Sequence, residues 1–231
     1  MVSATRVGSF APMIDRSVKY LRITMAGLLV AMLLGPAPAS AHPHVWVTAK
    51  SEVVYAADSS VTGVRYAWTF DDMFSTFAVQ GIEPKHKGVF SREDLAPLAQ
   101  VNVTSLKEFD YFTHANADGK KLIFTDPIDY WLDYHDNVLT LYFTLPLRVP
   151  VKAKTLTLEI YDPTFFVDLS FADKEPVSLA GAPANCKVNV QRPAQAGSAP
   201  TQQLGESFFN ALTSRSNFGA QFANAAIAIC P

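Results

Sequence analysis

Two consecutive stretches, Val45 to Tyr55 and Val61 to Phe70, alternate β-branched or aromatic residues with small or polar ones. A period of two is typical of a strand with one buried face. The sequence Asp58-Ser59-Ser60 between them predicts a turn. Further strands are predicted on the same grounds, with short connections that favour antiparallel neighbours, at Lys121 to Thr125, Ile128 to Tyr134, Leu139 to Leu145, Leu156 to Tyr161 and Phe165 to Phe171.

Helical spacing of apolar residues appears in two other segments. Asp72 to Gln80 predicts a short helix, and Ser91 to Phe112 predicts one helix or two with an interruption near Asn102. The second segment opens with Ser91-x-x-Asp94, which is a capping signature. These elements together predict an α+β, mainly β fold, with an antiparallel sheet or sandwich and a few helices.

The last quarter of the chain has a different composition. Residues 175 to 203 are rich in Pro, Ala, Gly and Gln, which predicts a loop interrupted by a brief strand at Cys186 to Val190. Leu204 to Thr213 predicts a final helix. The apolar tail Phe218 to Cys230 is too short to span a bilayer and is predicted to be part of the core.

Residues 1 to 41 have the pattern of an export signal. Lys19 and Arg22 precede an apolar run from Ile23 to Leu34, and Ala39-Ser40-Ala41 offers a cleavage site. The run is shorter than the ~20 residues of a spanning helix. The sequence therefore predicts a signal peptide at 1 to 41 and a single periplasmic domain at 42 to 231; an uncleaved anchor is the alternative.

Charge and cysteine content agree with an exported protein. The whole chain has a formal net charge of −2, and cleavage would remove Arg6, Arg16, Lys19 and Arg22 together with the single acid Asp15, so the mature part is mildly acidic and a nucleic-acid partner is not expected. The two cysteines, Cys186 and Cys230, predict one disulfide in an oxidising compartment. Two free buried thiols are the alternative.

Cleavage after Ala41 would make His42 the amino terminus, followed by Pro43 and His44. The α-amine and ring nitrogen of His42 can chelate one cation, and His44 adds another imidazole, which suits zinc, copper, nickel and related ions. Pro43 lacks an amide proton, which rules out a square-planar site built on deprotonated backbone amides. A disordered end whose histidines bind nothing is the alternative.

The remaining ligands must come from elsewhere in the chain. Asp71 and Asp162 are the candidates of choice, although helix capping explains Asp71 or the adjacent Asp72 equally well, and an Asx turn before proline explains Asp162. His114 and His135 join the site only if the fold brings them to it.

The segment Glu83 to Leu95 partly matches a calcium loop, with Gly88 at the turn position and Asp94 where a bidentate carboxylate would stand. Lys85 and Lys87 occupy positions where acidic ligands belong. Two ammonium groups would repel the ion, so no metal is expected there.

Three motifs together, His42-Pro43-His44, Trp68 to Phe74 and Tyr161 to Phe166, resemble an uncharacterised family of bacterial periplasmic proteins. Its members are often described as a periplasmic component of an ABC-type transport system, encoded beside permeases similar to nickel and cobalt exporters. The resemblance covers nearly all of the mature chain and implies a non-catalytic role in transition-metal handling, with an inner-membrane metal-ion permease as partner.

Three hypotheses for the function follow. The first is a periplasmic protein that binds a divalent transition metal ion (nickel, cobalt, zinc or copper) through His42 and His44, with Asp71 or Asp162 closing the shell. The second is a copper enzyme in which an amino-terminal histidine brace performs oxygen chemistry. The third is a metal-free assembly subunit of a transporter.

Overall fold

The computed structural model describes residues 43–193 and 217–231, which form eleven strands, two α-helices and two 3₁₀ helices. The leader, His42 and the predicted helix Leu204 to Thr213 lie outside the described residues. The elements, in chain order, are β1 (Val45–Tyr55), β2 (Val61–Phe70), α1 (Asp72–Ala78), α2 (Arg92–Leu106), a 3₁₀ helix (Lys107–Phe112), β3 (Thr113–Ala117), β4 (Lys120–Lys121), β5 (Ile128–His135), β6 (Val138–Val151), β7 (Thr155–Ile160), β8 (Val167–Phe171), β9 (Val177–Ala180), β10 (Lys187–Gln191), a second 3₁₀ helix (Phe218–Phe222) and β11 (Asn224–Ile229).

The strands form two sheets. The large sheet has the order β5-β6-β2-β1-β8, with β9 also pairing with β1, and the small sheet has the order β10-β11-β7-β3-β4. Most neighbours are antiparallel, but β1 pairs in parallel with both β8 and β9. The prediction of an α+β, mainly β fold is confirmed, and the parallel pairs are an addition that local patterns do not reveal.

One face of each sheet lies in a shared core. Along β1, Val45, Val47 and Ala49 are buried, whereas the intervening Trp46 and Thr48 are exposed, as a period of two requires. Side chains from the inner faces of both sheets belong to the same hydrophobic cluster. The outer face of the large sheet is therefore left open to solvent along its central strands.

The capping signature at Ser91 is confirmed. The Ser91 side chain accepts a hydrogen bond from the Asp94 backbone, and the Asp94 carboxylate accepts one from the Ser91 backbone, so that α2 begins at Arg92. The predicted interruption near Asn102 is wrong. The Asn102 side chain donates to the Leu98 carbonyl at 2.9 Å within the same helix, which satisfies it without a break, and α2 ends at Leu106.

Two other boundaries differ from the sequence prediction. The expected strand Lys121 to Thr125 shrinks to β4, because the chain then leaves the small sheet and Thr125 donates its amide to the Pro146 carbonyl at 2.9 Å. The loop predicted at 175 to 203 contains an additional strand, β9, which pairs with Ser51 to Val54 in the second half of β1. Its pairing partner lies more than a hundred residues away in sequence, so no local signal marks it.

The tail is an integral part of the fold. β11 pairs with β10 on one side and β7 on the other, and its Ala226 and Ala228 are buried. The predicted disulfide between Cys186 and Cys230 is present. Within residues 43–193 and 217–231, no helix is long and apolar enough to cross a bilayer.

Candidate metal-binding site

Three of the predicted ligands lie at one edge of the large sheet. β1 and β8 begin at this edge and β2 ends there, because β1 runs antiparallel to β2 and parallel to β8. His44 immediately precedes β1, Asp71 immediately follows β2, and Asp162 lies in the segment that leads into β8. The fold thus brings together residues that are far apart in sequence.

His44 is held by the chain segment before β8. Its backbone N–H donates to the Phe166 carbonyl at 2.9 Å, and its imidazole ring lies 4.7 Å from the Phe166 ring, centroid to centroid. The position of this histidine is therefore fixed by main-chain pairing and by an aromatic contact. Phe166 is the positioning residue that the motif analysis did not single out.

Asp71 uses both carboxylate oxygens to organise the edge. Oδ1 accepts the Phe74 N–H at 2.8 Å and caps α1, and Oδ2 accepts the Trp46 N–H at 2.9 Å. The helix-capping interpretation is therefore confirmed. A carboxylate offers about four acceptor positions, so Asp71, which is partly exposed, retains capacity for a cation.

Asp162 is more fully committed. It is only 3% exposed, and its Oδ1 accepts both the N–H and the hydroxyl of Thr164 at 2.8 Å, while Oδ2 accepts the Val167 N–H at 2.9 Å. The Asx-turn interpretation is therefore confirmed. These bonds stabilise a buried carboxylate and leave it less accessible than Asp71.

His135 lies at the same edge but on β5, three strands from β1. At about 4.8 Å per strand, β5 and β1 are about 14 Å apart, which is too far for His135 and His44 to bind the same ion. The His135 ring instead contacts the carboxylate of Asp136 at 3.0 Å. Sequence alone does not predict the distance, since it depends on the strand order.

His114 lies on β3 in the small sheet, where its ring stacks on Tyr161 at 4.3 Å. Its Nε2 atom is buried and has no hydrogen-bond partner among the described residues. Burial lowers the pKa of His114, Asp110 opposes this effect, and Lys121 adds to it. The fold therefore favours the neutral imidazole.

This preference predicts a pH dependence of stability. As the pH falls below the ordinary histidine value of about 6.5, the unfolded chain takes up the proton before the folded chain does. The contribution of His114 is thus complete above that pH and is lost below it. We expect the free energy of unfolding, measured by urea denaturation, to drop less between pH 7 and pH 5 in His114→Phe, which keeps the ring contact. An equal drop in both proteins would contradict the assignment.

Asp168 is a further acidic residue near the edge. It lies on β8 opposite Trp46, and burial raises its pKa while a hydrogen bond from Ser170 opposes the shift. The alternation Val167-Asp168-Leu169-Ser170-Phe171 places it on the outer face with Ser170. That pattern could have indicated its position before the structure.

The described residues do not form a complete metal shell by themselves. Among residues 43–193 and 217–231, no group of three or more His, Cys, Asp or Glu side chains could hold a metal ion. His42, the predicted chelating residue, lies outside the described residues. The prediction that His42, His44, Asp71 and Asp162 bind a metal therefore stays a prediction.

An apolar groove of about 920 Å³ adjoins this edge. It lies between α1, α2 and the first residues of β1, and Phe166 and Thr164 border it. Phe77 and Val101, which line the groove, are 69% and 61% exposed, although apolar residues at helical spacing are typical of a buried stripe. Periodicity identifies the apolar faces of these helices but not whether the fold covers them.

The structure defines a two-sheet α+β protein whose first strand lies inside the large sheet, between β2 and the strands β8 and β9. The chain belongs to a protein family of unknown function, DUF1007, which it matches over residues 27–230. It is similar to an uncharacterized protein of Haemophilus influenzae, with 25% identity over 156 residues, covering 66% of this chain and 74% of the relative. It is also similar to an uncharacterized 15.5 kDa protein from the trpE 3' region of Spirochaeta aurantia, with 36% identity over 93 residues, covering 40% of this chain and 66% of that protein.

Proposed function

We propose that this protein is a periplasmic accessory protein that binds a divalent transition metal ion at a processed amino terminus. In this proposal, cleavage after Ala41 frees the α-amine of His42, and His42 and His44 are the primary ligands. The ion is captured from, or delivered to, a metal-ion permease of the inner membrane. Nickel, cobalt, zinc and copper all accept this combination of amine and imidazole nitrogens.

The anchoring of His44 is the observation that carries the proposal. A main-chain hydrogen bond and a ring contact with Phe166 hold His44 at the start of β1. The hydrogen bond from Trp46 to Asp71 connects this start of β1 to the end of β2. A site on rigid elements loses less conformational entropy on binding than one on a loose end. The anchored position of His44 therefore supports a site in which its imidazole joins the proposed ligands of His42.

The hydrogen bonds rank the two carboxylates. Asp71 accepts two bonds and is partly exposed, whereas Asp162 accepts three and is 3% exposed. An additional ligand must keep an acceptor position open toward the ion. We therefore assign the third side chain of the shell to Asp71, and we assign Asp162 the role of shaping the turn that presents Phe166.

The apolar groove supports the accessory role. Large exposed apolar surfaces in soluble proteins are typical of interaction sites, and this one begins at Val45, one residue after His44. A partner bound there would lie beside the proposed metal. This proximity suits direct transfer of an ion to a membrane protein.

The test is metal titration of the mature protein, with its first residue verified by mass spectrometry. We expect His42→Ala to weaken binding by at least about tenfold, equivalent to about 1.4 kcal/mol, because it removes an imidazole from the chelate. One extra residue before His42 should have a similar effect, since it removes the α-amine. His135→Ala is the matched control, because it deletes an exposed histidine that lies about 14 Å away.

A second pair of variants separates the carboxylates. Asp71→Asn is expected to weaken metal binding, whereas Asp162→Asn is expected to lower stability with little change in affinity. Binding should also weaken on acidification, since protons compete with the ion for the amine and imidazole nitrogens. If His42→Ala and the extended terminus both bind like the wild type, the proposal is wrong.

A further inference from the structure

The open face of the large sheet contains a second cavity, of about 370 Å³, away from the candidate metal site. One row of side chains crosses four neighbouring strands there. Lys50 on β1 pairs with Ala67 on β2, Ala67 with Tyr142 on β6, and Tyr142 with Trp131 on β5. All four of these residues line the cavity.

A fixed aromatic stack forms one wall. The Trp131 and Tyr142 rings are nearly parallel, at 10° and 4.9 Å between centroids, and the Arg92 guanidinium lies 4.4 Å from the Trp131 ring centroid. A β-bulge between Ile128 and Trp131, where Asp129 has a φ of 50°, adjusts this part of β5 to the stack. Because Trp131 covers one ring face of Tyr142, the face toward Ala67 is the one that borders the cavity.

The short side chain of Ala67 leaves a slot between taller neighbours. β1 and β6 are two strands apart, so the Lys50 and Tyr142 main chains are about 10 Å from each other. Carbon atoms in contact lie about 3.5 to 4.0 Å apart. The slot therefore fits one ring, packed against Tyr142 on one side and the Lys50 stem on the other.

The charges around the slot have both signs. Lys50 and Arg65 are basic, whereas Glu52, Asp129 and Glu175 are acidic, and Arg65 contacts Glu52 at 2.9 Å. An anion would face three carboxylates and a cation would face two basic groups. A neutral ligand with many hydroxyl groups can both donate to the carboxylates and accept from the basic groups.

We propose that this slot binds one sugar ring of a neutral oligosaccharide. A pyranose combines an apolar C–H face, which can lie on the Tyr142 ring, with hydroxyl groups along its edge, which reach Lys50, Asp129 and Glu175. Ala67 forms the floor. This site is independent of the proposed metal function, because none of its residues belongs to the candidate metal shell.

The experiment is an NMR titration of the mature protein with chitotetraose, cellotetraose and maltotetraose, following the indole N–H signals of the three tryptophans. We expect at least one sugar to shift the Trp131 signal saturably, with a dissociation constant of about 1 mM or tighter. Trp68 in the core and Trp46 near the metal site should not respond.

Two variants test the slot itself. Ala67→Leu fills it without removing any contact and should weaken binding at least tenfold, while Ala67→Ser should bind like the wild type. Tyr142→Ala removes the stacking face and should also abolish binding. This variant provides the test if Ala67→Leu does not fold. The proposal is overturned if none of the three sugars shifts the Trp131 signal, or if the shift persists unchanged in correctly folded Ala67→Leu or Tyr142→Ala.

Discussion

Replacing Cys186 and Cys230 together with serine is expected to lower the free energy of unfolding by about 4 kcal/mol. The disulfide closes a loop with a sequence separation of 44 residues, and without it the unfolded chain gains conformational entropy. The disulfide connects the residue before β10 to the residue after β11, and these two strands are antiparallel neighbours. We therefore expect the loss of the bridge to affect the small sheet first. Urea denaturation monitored by circular dichroism measures the change.

A reducing agent provides the control for this variant. The wild-type protein in the presence of reductant should approach the stability of the double variant, and the double variant should not respond to reductant at all. The Cys230 backbone amide donates to the Lys154 carbonyl at 2.8 Å, and serine at position 230 keeps this bond. A stability change well under 1 kcal/mol would show that the bridge contributes little beyond the sheet pairing around it.

Gly219→Ala is expected to destabilise the protein by about 3 kcal/mol, through overpacking against the main chain. A β-carbon at position 219 would lie 1.7 Å from the Asp162 carbonyl oxygen, and the Gly219 amide donates to the Pro163 carbonyl at 2.9 Å. Neither partner is a flexible side chain that can move away. The 3₁₀ helix Phe218–Phe222 would have to separate from the turn that holds Asp162. Thermal and urea unfolding both report the loss.

Gly119→Ala is the matched control for this steric effect. Gly119 has a φ of 80° and no atom within 4 Å of its would-be β-carbon, so alanine there meets only conformational strain of about 1 kcal/mol. A Gly219→Ala protein as stable as Gly119→Ala would mean that the turn relaxes easily. The pair thus separates close packing from backbone strain.

The strands with clear alternation could be predicted from the sequence to the residue. β1 and β2 have the predicted bounds. Each strand has one face in the core and one toward solvent, which requires apolar and polar residues to alternate along the sequence. Strands defined by distant partners could not be predicted. β9 exists because it pairs with the second half of β1, and β4 is short because the chain leaves the small sheet to reach β6.

The candidate metal site could be predicted in part. Residues with local roles were recognisable. The cap that Asp71 forms and the turn at Asp162 depend on partners no more than five residues away. Only the bond between Asp71 and Trp46 joins distant parts of the chain. Their approach to His44 depends on β1 lying between β2 and β8. Phe166 and the distance to His135 follow from this strand order, which no short motif encodes.

The interior position of β1 in the large sheet also sets the order in which the chain can fold. One neighbour of β1 is β2, which follows it directly in the chain. The other neighbours, β8 and β9, are synthesised much later, so Val45 cannot pair with Val167 until then. Contacts so distant in sequence form slowly, because a long loop must close first. We therefore expect the earliest part of the domain to stay unpaired on one side until most of the chain has been synthesised.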